Sequence, residues 1–428
     1  MEWSGERLLG FASRHTTDWK RFAMPAATSL GLPNVRGRVP LLAGLAIDSF
    51  GGGCAAPLLL LFFTKVAGIP LGTAGVVLTV ATLFSVAAPA VVGLVIDRVG
   101  PRNLVVAAQF AQGLAFTGLF FGRSVWLLFL CSLVMTTGQR VFWSAIFSLL
   151  ADVADEGDRD KWFGLGGMMQ AGGFALGALT AGWLLAVGGT TPFLIAMAVN
   201  AVSFYLAGLL LFRLHPSHHE RTKPDNGPAP LLRKDRPFLA LIGANTLLAL
   251  CTMMLGVGVP VYVTEALTVP KWLVGVLIAA TSLVLATGQT LVVRHTEQRR
   301  RTNVMVVAGI TYAAWALLMA LQLHIAAALV VPALVLATAC YAFADVLHAA
   351  TNNALSAAVA PEVGRGKYLS YWQYSFTFAS VLAPGFFAQL FEVHHELPWL
   401  VLALLALVAS VTIYVLARVS PRLSAERI

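Results

Sequence analysis

Four polar residues recur at helical steps in an otherwise apolar stretch: Tyr341, Asp345, His348 and Asn352. Steps of four, three and four place them on one narrow face of a helix. A carboxylate one turn from an imidazole can take up, hold and pass on a proton, and an unperturbed imidazole titrates at about 6.5. Two further charges stand inside apolar stretches. Asp48 is followed by Gly51, Gly52 and Gly53; Arg140 has Thr136, Thr137, Trp143, Ser144 and Phe147 on its side. Charges in such surroundings are costly to keep and usually functional. Asp48, Asp345 and His348 are therefore the expected proton-handling set. The alternative for the stripe is a buried hydrogen-bond network with no part in function.

The elements that must position these residues follow from composition. The 428 residues are 58% hydrophobic and 11% charged, less than half the charged share of a soluble domain. About 20 apolar residues cross the hydrocarbon core as a helix. Twelve such runs can be read, at roughly 39–63, 72–96, 104–122, 125–150, 163–187, 192–212, 238–264, 272–293, 303–322, 325–350, 368–391 and 397–417. None shows the alternation of barrel strands, so helices must satisfy the backbone in lipid. An all-α integral membrane protein, with the bilayer as its surroundings, is expected.

The net charge of +9 is distributed by side. Of 29 Lys and Arg, 25 fall in alternate connectors and the two ends; Lys65, Arg123 and Lys271 fall on the other side, and Arg140 lies within the fourth run. By the positive-inside rule both termini are cytoplasmic and the chain crosses the cell membrane many times. The basic balance thus reflects topology, and no nucleic-acid partner is expected. Cys54, Cys131, Cys251 and Cys340 sit in four different runs without a CxxC spacing, which suggests neither a disulfide framework nor a metal site. His215, His218 and His219 belong to a polar connector and read as solvated. No cofactor or metal is called for. Residues 1–37 lack the apolar core of a signal peptide. They read as a basic amphipathic helix on the membrane face, as a tail, or as upstream sequence if Met24 is the true start.

Residues 213–236, rich in Pro and charge, separate six runs from six. The expected organisation is an N-terminal segment (1–37), a first bundle (38–212), a cytoplasmic linker (213–236), a second bundle (237–417) and a tail (418–428). A shift of 206 lays VADEGDRDKWFG from Val153 on VAPEVGRGKYLS from Val359, a sign of an internal repeat. Secondary transporters are often built from such repeats, with the substrate site between them.

Between the second and third runs lies GLVIDRVGPRN, in which Asp97 contributes nothing to the positive-inside bias. Its second glycine permits a tight turn, and Arg102 could pair with Asp152 at the end of the fourth run. Gly93, Asp97, Arg98, Gly100 and Arg102 make the stretch similar to the loop signature Gly-x-x-x-Asp-Arg-x-Gly-x-Arg of the major facilitator superfamily. Pro101 stands where that family often has a base, and RHTEQRRR from Arg294 is too degenerate for a second copy. Gly164, Gly173, Gly177 and Gly182 in the fifth run resemble the antiporter signature of drug exporters, with Ala178 for its usual Pro and Ala181 for a Gly. A small-residue face lets helices slide or simply pack tightly.

The resemblance implies two pseudo-symmetric six-helix bundles around a cavity lined by the first, fourth and tenth helices. It implies that Asp48 and Arg140 are neighbours, with Arg140 as the charge partner. It also implies that the loop, with Arg102 and Asp152, latches an inner gate, and that Trp143, Tyr341, Asn352 and Tyr374 face substrate. No GxxxxGK[ST] loop occurs, so ATP is not the expected energy source. The expected function is proton-coupled efflux of small lipophilic or cationic compounds by a monomer that is not an enzyme. Proton-coupled uptake or uniport of a metabolite is the transport alternative, and a membrane receptor or scaffold the alternative of another class.

Overall fold

A computed structural model describes residues 35, 37–154, 159–214, 235–296, 299–359 and 365–419. The readings of residues 1–34 and of the histidines at 215, 218 and 219 lie outside the described residues. Fourteen α-helices make up almost all of the described chain. They are α1 (Val39–Ala55), α2 (Leu59–Lys65), α3 (Leu71–Ser85), α4 (Ala88–Val99), α5 (Pro101–Gly118), α6 (Val125–Val153) and α7 (Arg159–Val187). There follow α8 (Thr191–Phe212), α9 (Arg236–Glu265), α10 (Leu273–Thr296), α11 (Arg301–Leu321), α12 (Ala327–Val359), α13 (Arg365–Val393) and α14 (Leu397–Val419). A single 3-10 turn, Ala56–Leu58, joins α1 to α2, so the first run continues to Lys65.

The breaks have local causes. Pro89 lacks the N–H that would continue the helix past Ser85, and the second run divides into α3 and α4 there. Gly100 takes φ 83°, the left-handed turn that separates α4 from α5, and Pro101 opens α5. Ser124 Oγ accepts from Leu127 N at 3.2 Å and Asp235 Oδ1 from Phe238 N at 3.2 Å, capping α6 and α9.

Ten spans are long and apolar enough to cross a membrane. Helices α5 and α10 occupy the third and eighth runs but do not reach that measure among the described residues. Moved along by 206 residues, Arg159–Val187 coincides end for end with Arg365–Val393. The repeat therefore carries α7 onto α13.

In the first bundle α1 packs on α7 and α8, and α5 on α6 and α8. In the second, α11 packs on α12 and α14, and α9 on α13 and α14. The bundles meet chiefly through α7 with α10 and α3 with α13. Those contacts lie toward the helix ends remote from residues 213–236, here called the far side; the opposite ends form the linker side. One core, including Leu58, Phe62, Tyr262 and Phe387, joins both bundles on the far side. On the linker side the first bundle keeps a separate core of Leu41, Val105, Phe142, Leu149, Trp162 and Leu211. Among the described residues the contacts between the bundles gather on the far side.

Candidate functional site

The stripe of Tyr341, Asp345, His348 and Asn352 lies on α12, whose face turns toward α9, α11 and α13. Tyr312 OH donates to Asp345 Oδ1 at 2.7 Å, and Thr252 Oγ1 donates to the same oxygen at 3.2 Å. Tyr341 OH donates to the Thr252 carbonyl at 3.0 Å. Ser375 gives its proton to the Trp372 carbonyl (2.7 Å) and so accepts from Asn245 Nδ2 at 2.6 Å. That fixes the amide: Asn245 Oδ1 faces His348 Nε2 at 2.9 Å, and the ring nitrogen must donate. Trp372 Nε1 donates to Asn352 Oδ1 at 2.9 Å. His348 also stacks on Phe376, with centroids 5.8 Å apart.

The shared face is therefore real, but its surroundings are protein. Tyr341 and Asn352, expected in the substrate cavity, are 1% and 4% exposed and belong to the interior of the second bundle. The physical reason is that each finds its polar partner on a neighbouring helix. Asp345 and His348 do not bond each other; the Tyr312 ring stands against the imidazole, 6.0 Å between centroids, while its hydroxyl serves the carboxylate.

Asp48 and Arg140 are likewise not neighbours in a pair. Asp48 Oδ1 accepts from Gln109 Nε2 of α5 at 3.1 Å. Arg140 reaches out of its bundle to α13, donating to Thr377 Oγ1 at 3.0 Å and Ser380 Oγ at 2.7 Å. The expected ion pair fails because α1 packs on α7 and α8, whereas the Arg140 face of α6 turns toward the other bundle. Trp143, one turn beyond Arg140, is 44% exposed, and Tyr374, one turn before Thr377, is 40% exposed. Arg140 thus crosses the boundary between the bundles, with Trp143 and Tyr374 one helical turn from its contact; Tyr341 and Asn352 lie inside the second bundle.

In the loop motif Gly100 makes the turn, Gly93 has open space beside it and Arg98 is exposed. The side chain of Asp97 lies outside the described residues. Arg102 Nε donates to the Leu211 carbonyl at 3.2 Å, and its guanidinium lies 5.1 Å from the Phe212 ring centre. Arg102 is thus committed to α8, and among the described contacts it makes no bond to Asp152. In the fifth-run motif, a methyl at Gly177 would come 2.8 Å from Cys54 N and one at Gly173 3.2 Å from Phe50 N, both on α1. One at Gly182 would come 2.6 Å from the Trp272 carbonyl oxygen beside α10; Gly164 faces open space.

Polar contacts close the far side. Lys65 pairs with Glu265 at 2.6 Å, and Glu392 Oε1 accepts from Gly72 N at 2.6 Å. Gln389 Nε2 donates to the Gly72 carbonyl at 3.0 Å, and Gly385 N to Thr79 Oγ1 at 2.9 Å. Each joins one bundle to the other. Beside them Glu396 meets His324 at 2.6 Å and His394 at 3.5 Å. The His324 hydrogen bond holds the Glu396 carboxyl below its ordinary range against desolvation, with the charges of the two imidazoles adding in the same direction as the bond.

Several partners had a legible signal that the first reading passed over. Asn245 and Thr252 are seven residues apart in an apolar run, hence on one face, and Gln109 interrupts the third run. Thr377 and Ser380 carry no comparable signal, since hydroxyls are common in such helices.

The chain matches the Major Facilitator Superfamily over residues 41–347 and 241–427. It is 30% identical over 213 residues to a class G tetracycline resistance protein of Vibrio anguillarum, an alignment covering 49% of this chain and 52% of that relative. The chain thus spans about half the length of this relative. A Na+, Li+, K+/H+ antiporter of Planococcus maritimus is 24% identical over 363 residues, covering 77% of this chain and 83% of that one. The fold superposes on the nucleoside transporter NupG with a TM-score of 0.74 at 12% identity, covering 89% of this chain and 99% of that structure. The family match along nearly the whole chain, on an all-helical membrane-spanning fold, makes this protein a member of the major facilitator superfamily.

Proposed function

We propose that the chain is a secondary transporter that expels small lipophilic compounds by alternating access, driven by inward movement of protons. The observation that carries this is the asymmetry of the boundary: one apolar core shared by both bundles on the far side, a separate core of the first bundle on the linker side, and Arg140 crossing to α13 midway. Such an arrangement gives a site access to one side at a time. Relatives named for tetracycline resistance and for cation/proton antiport support efflux and proton coupling. In this reading the linker and both termini are cytoplasmic and one chain suffices.

Asp345 is the proton carrier. It is an intramembrane carboxylate with two neutral hydroxyl donors and no cation to hold it ionised. Burial makes its two protonation states sensitive to whether the surrounding helices admit water. Asp48, bonded to Gln109, is the second candidate, and His348 positions the network through Asn245. The test is transport in proteoliposomes under an imposed pH gradient. Asp345→Asn mimics the protonated acid permanently, so it should abolish gradient-driven flux while leaving substrate–substrate exchange. If Asp345→Asn still moves substrate uphill on a pH gradient alone, Asp345 is not the carrier.

A further inference from the structure

The charge at the boundary between the bundles is positive, and it has no counter-charge there. Arg140 is the sixteenth of 29 residues in α6, and Ser380, one of its two partners, is the sixteenth of 29 in α13, so the contact lies at mid-helix on both sides. Both partners are neutral. Thr377 and Ser380 each give their own proton to a helical carbonyl, of Gln373 (3.3 Å) and Thr377 (2.8 Å), and accept from the guanidinium. They seat the cation without neutralising it. The acids that would draw a cationic substrate are engaged elsewhere, Asp48 by Gln109 within the first bundle and Asp345 by Tyr312 and Thr252 within the second.

A guanidinium has five N–H groups in a planar fork suited to a carboxylate, and two hydroxyls leave part of that fork unused. One helical turn from that contact, toward the linker side, stand half-exposed aromatic rings on both helices: Trp143 on α6, packed on Phe147 at 6.0 Å, and Tyr374 on α13, packed on Phe378 at 6.0 Å. A cation one turn from aromatic rings on two helices matches an anionic head on a flat apolar body.

We infer that this boundary site binds amphipathic organic anions, with Arg140 taking the carboxylate and Trp143 and Tyr374 enclosing an aromatic body. This rests on the transport reading and sharpens it: the substrate is lipophilic and anionic, and cations lose their support. The head bridges the bundles, because Arg140 belongs to one and Thr377 and Ser380 to the other.

A charge series on one ring decides it. The full chain in lipid nanodiscs at pH 7 is titrated with 2-naphthoate, 2-naphthylmethanol and 2-naphthylmethylammonium, followed by calorimetry. Naphthoate should bind about tenfold or more tighter than either analogue, the scale of a charge-assisted hydrogen-bonded contact. Arg140→Gln should remove that advantage and leave the alcohol unchanged, which also reports that the variant is folded. Trp143→Ala should weaken all three together. Equal or tighter binding of the ammonium compound by the unmodified protein overturns the site, whatever the variants do. So does naphthoate binding undiminished in a folded Arg140→Gln. The titrations involve no gradient. Naphthoate preference without gradient-driven flux would therefore sink the transport reading alone, and flux with a cation preference would sink the anion site alone.

Discussion

Asp48 and Arg140 are ionisable side chains among apolar helices, and each bonds to uncharged partners. A lone Arg at the middle of a membrane helix costs about 2.5–3.5 kcal/mol on insertion scales, and two hydroxyl acceptors offset only part of that. Because Gln109 serves Asp48 while Thr377 and Ser380 serve Arg140, the two charges share no partner. Neutralising both, as Asp48→Asn with Arg140→Gln, should therefore give additive stability losses within about 0.5 kcal/mol. Asp48→Ala combined with Gln109→Ala should instead couple, since the same hydrogen bond is removed by either change. A denaturation-based double-mutant cycle checks both; a coupling above about 1 kcal/mol between Asp48 and Arg140 would mean that they touch. Glu396 offers a pH test on the far side. Its carboxyl titrates below the ordinary 4.5 because His324 bonds its charged form. An acid depressed on folding stabilises fully above its unfolded value and loses that contribution as pH falls through the folded one. The melting temperature should accordingly exceed that of Glu396→Gln slightly at pH 6, and the gap should close toward pH 3. An unchanged gap across that range would contradict the contact.

Among the elements, the crossing of α1 and α7 is set by glycine. Gly173 and Gly177 let the two backbones meet, with Phe50 and Cys54 of α1 seated where side chains would otherwise stand. Gly177→Ala should cost on the order of 1–3 kcal/mol from overpacking. Gly164→Ala, in open space, should be neutral or gain up to about 1 kcal/mol from helix propensity. Melting of the purified variants distinguishes them, and equal effects would mean that the motif does not govern this crossing. The contrast also marks how far the bare sequence could be read. Run positions were legible because hydrophobic length is dictated by the bilayer, and the 206-residue repeat because α7 and α13 keep the same ends. The periodicity of Tyr341, Asp345, His348 and Asn352 was legible for the same kind of reason. What lay opposite each face was not. Periodicity places Arg140 on a face of α6 but is silent on whether α1 or α13 lies across from it, and the expected pair with Asp48 failed on that point. Asn352 and Tyr341 moved from cavity to interior for the same cause.

At the scale of the whole molecule, the proposed cycle moves the two bundles against each other about their shared boundary. Its far side is held by Lys65 with Glu265, Glu392 with the first turn of α3, and the apolar core common to both bundles. On the linker side Arg102 rests on α8. In the proposed cycle the far side parts while the linker side closes, and Arg102 would leave α8 for the proposed latch with Asp152. Exposed ion pairs contribute about 0–1 kcal/mol each, so the polar contacts of the far side are weak enough to break in every cycle. The most direct measurement of this account locks that side. In a background without Cys54, Cys131, Cys251 and Cys340, Lys65→Cys and Glu265→Cys place two thiols where the 2.6 Å ion pair stood, to be bridged by a short, reducible bifunctional reagent. Bridging should abolish transport driven by a pH gradient in proteoliposomes, and reduction should restore it. Transport that continues at the unbridged rate with the bridge fully formed would contradict alternating access through this boundary.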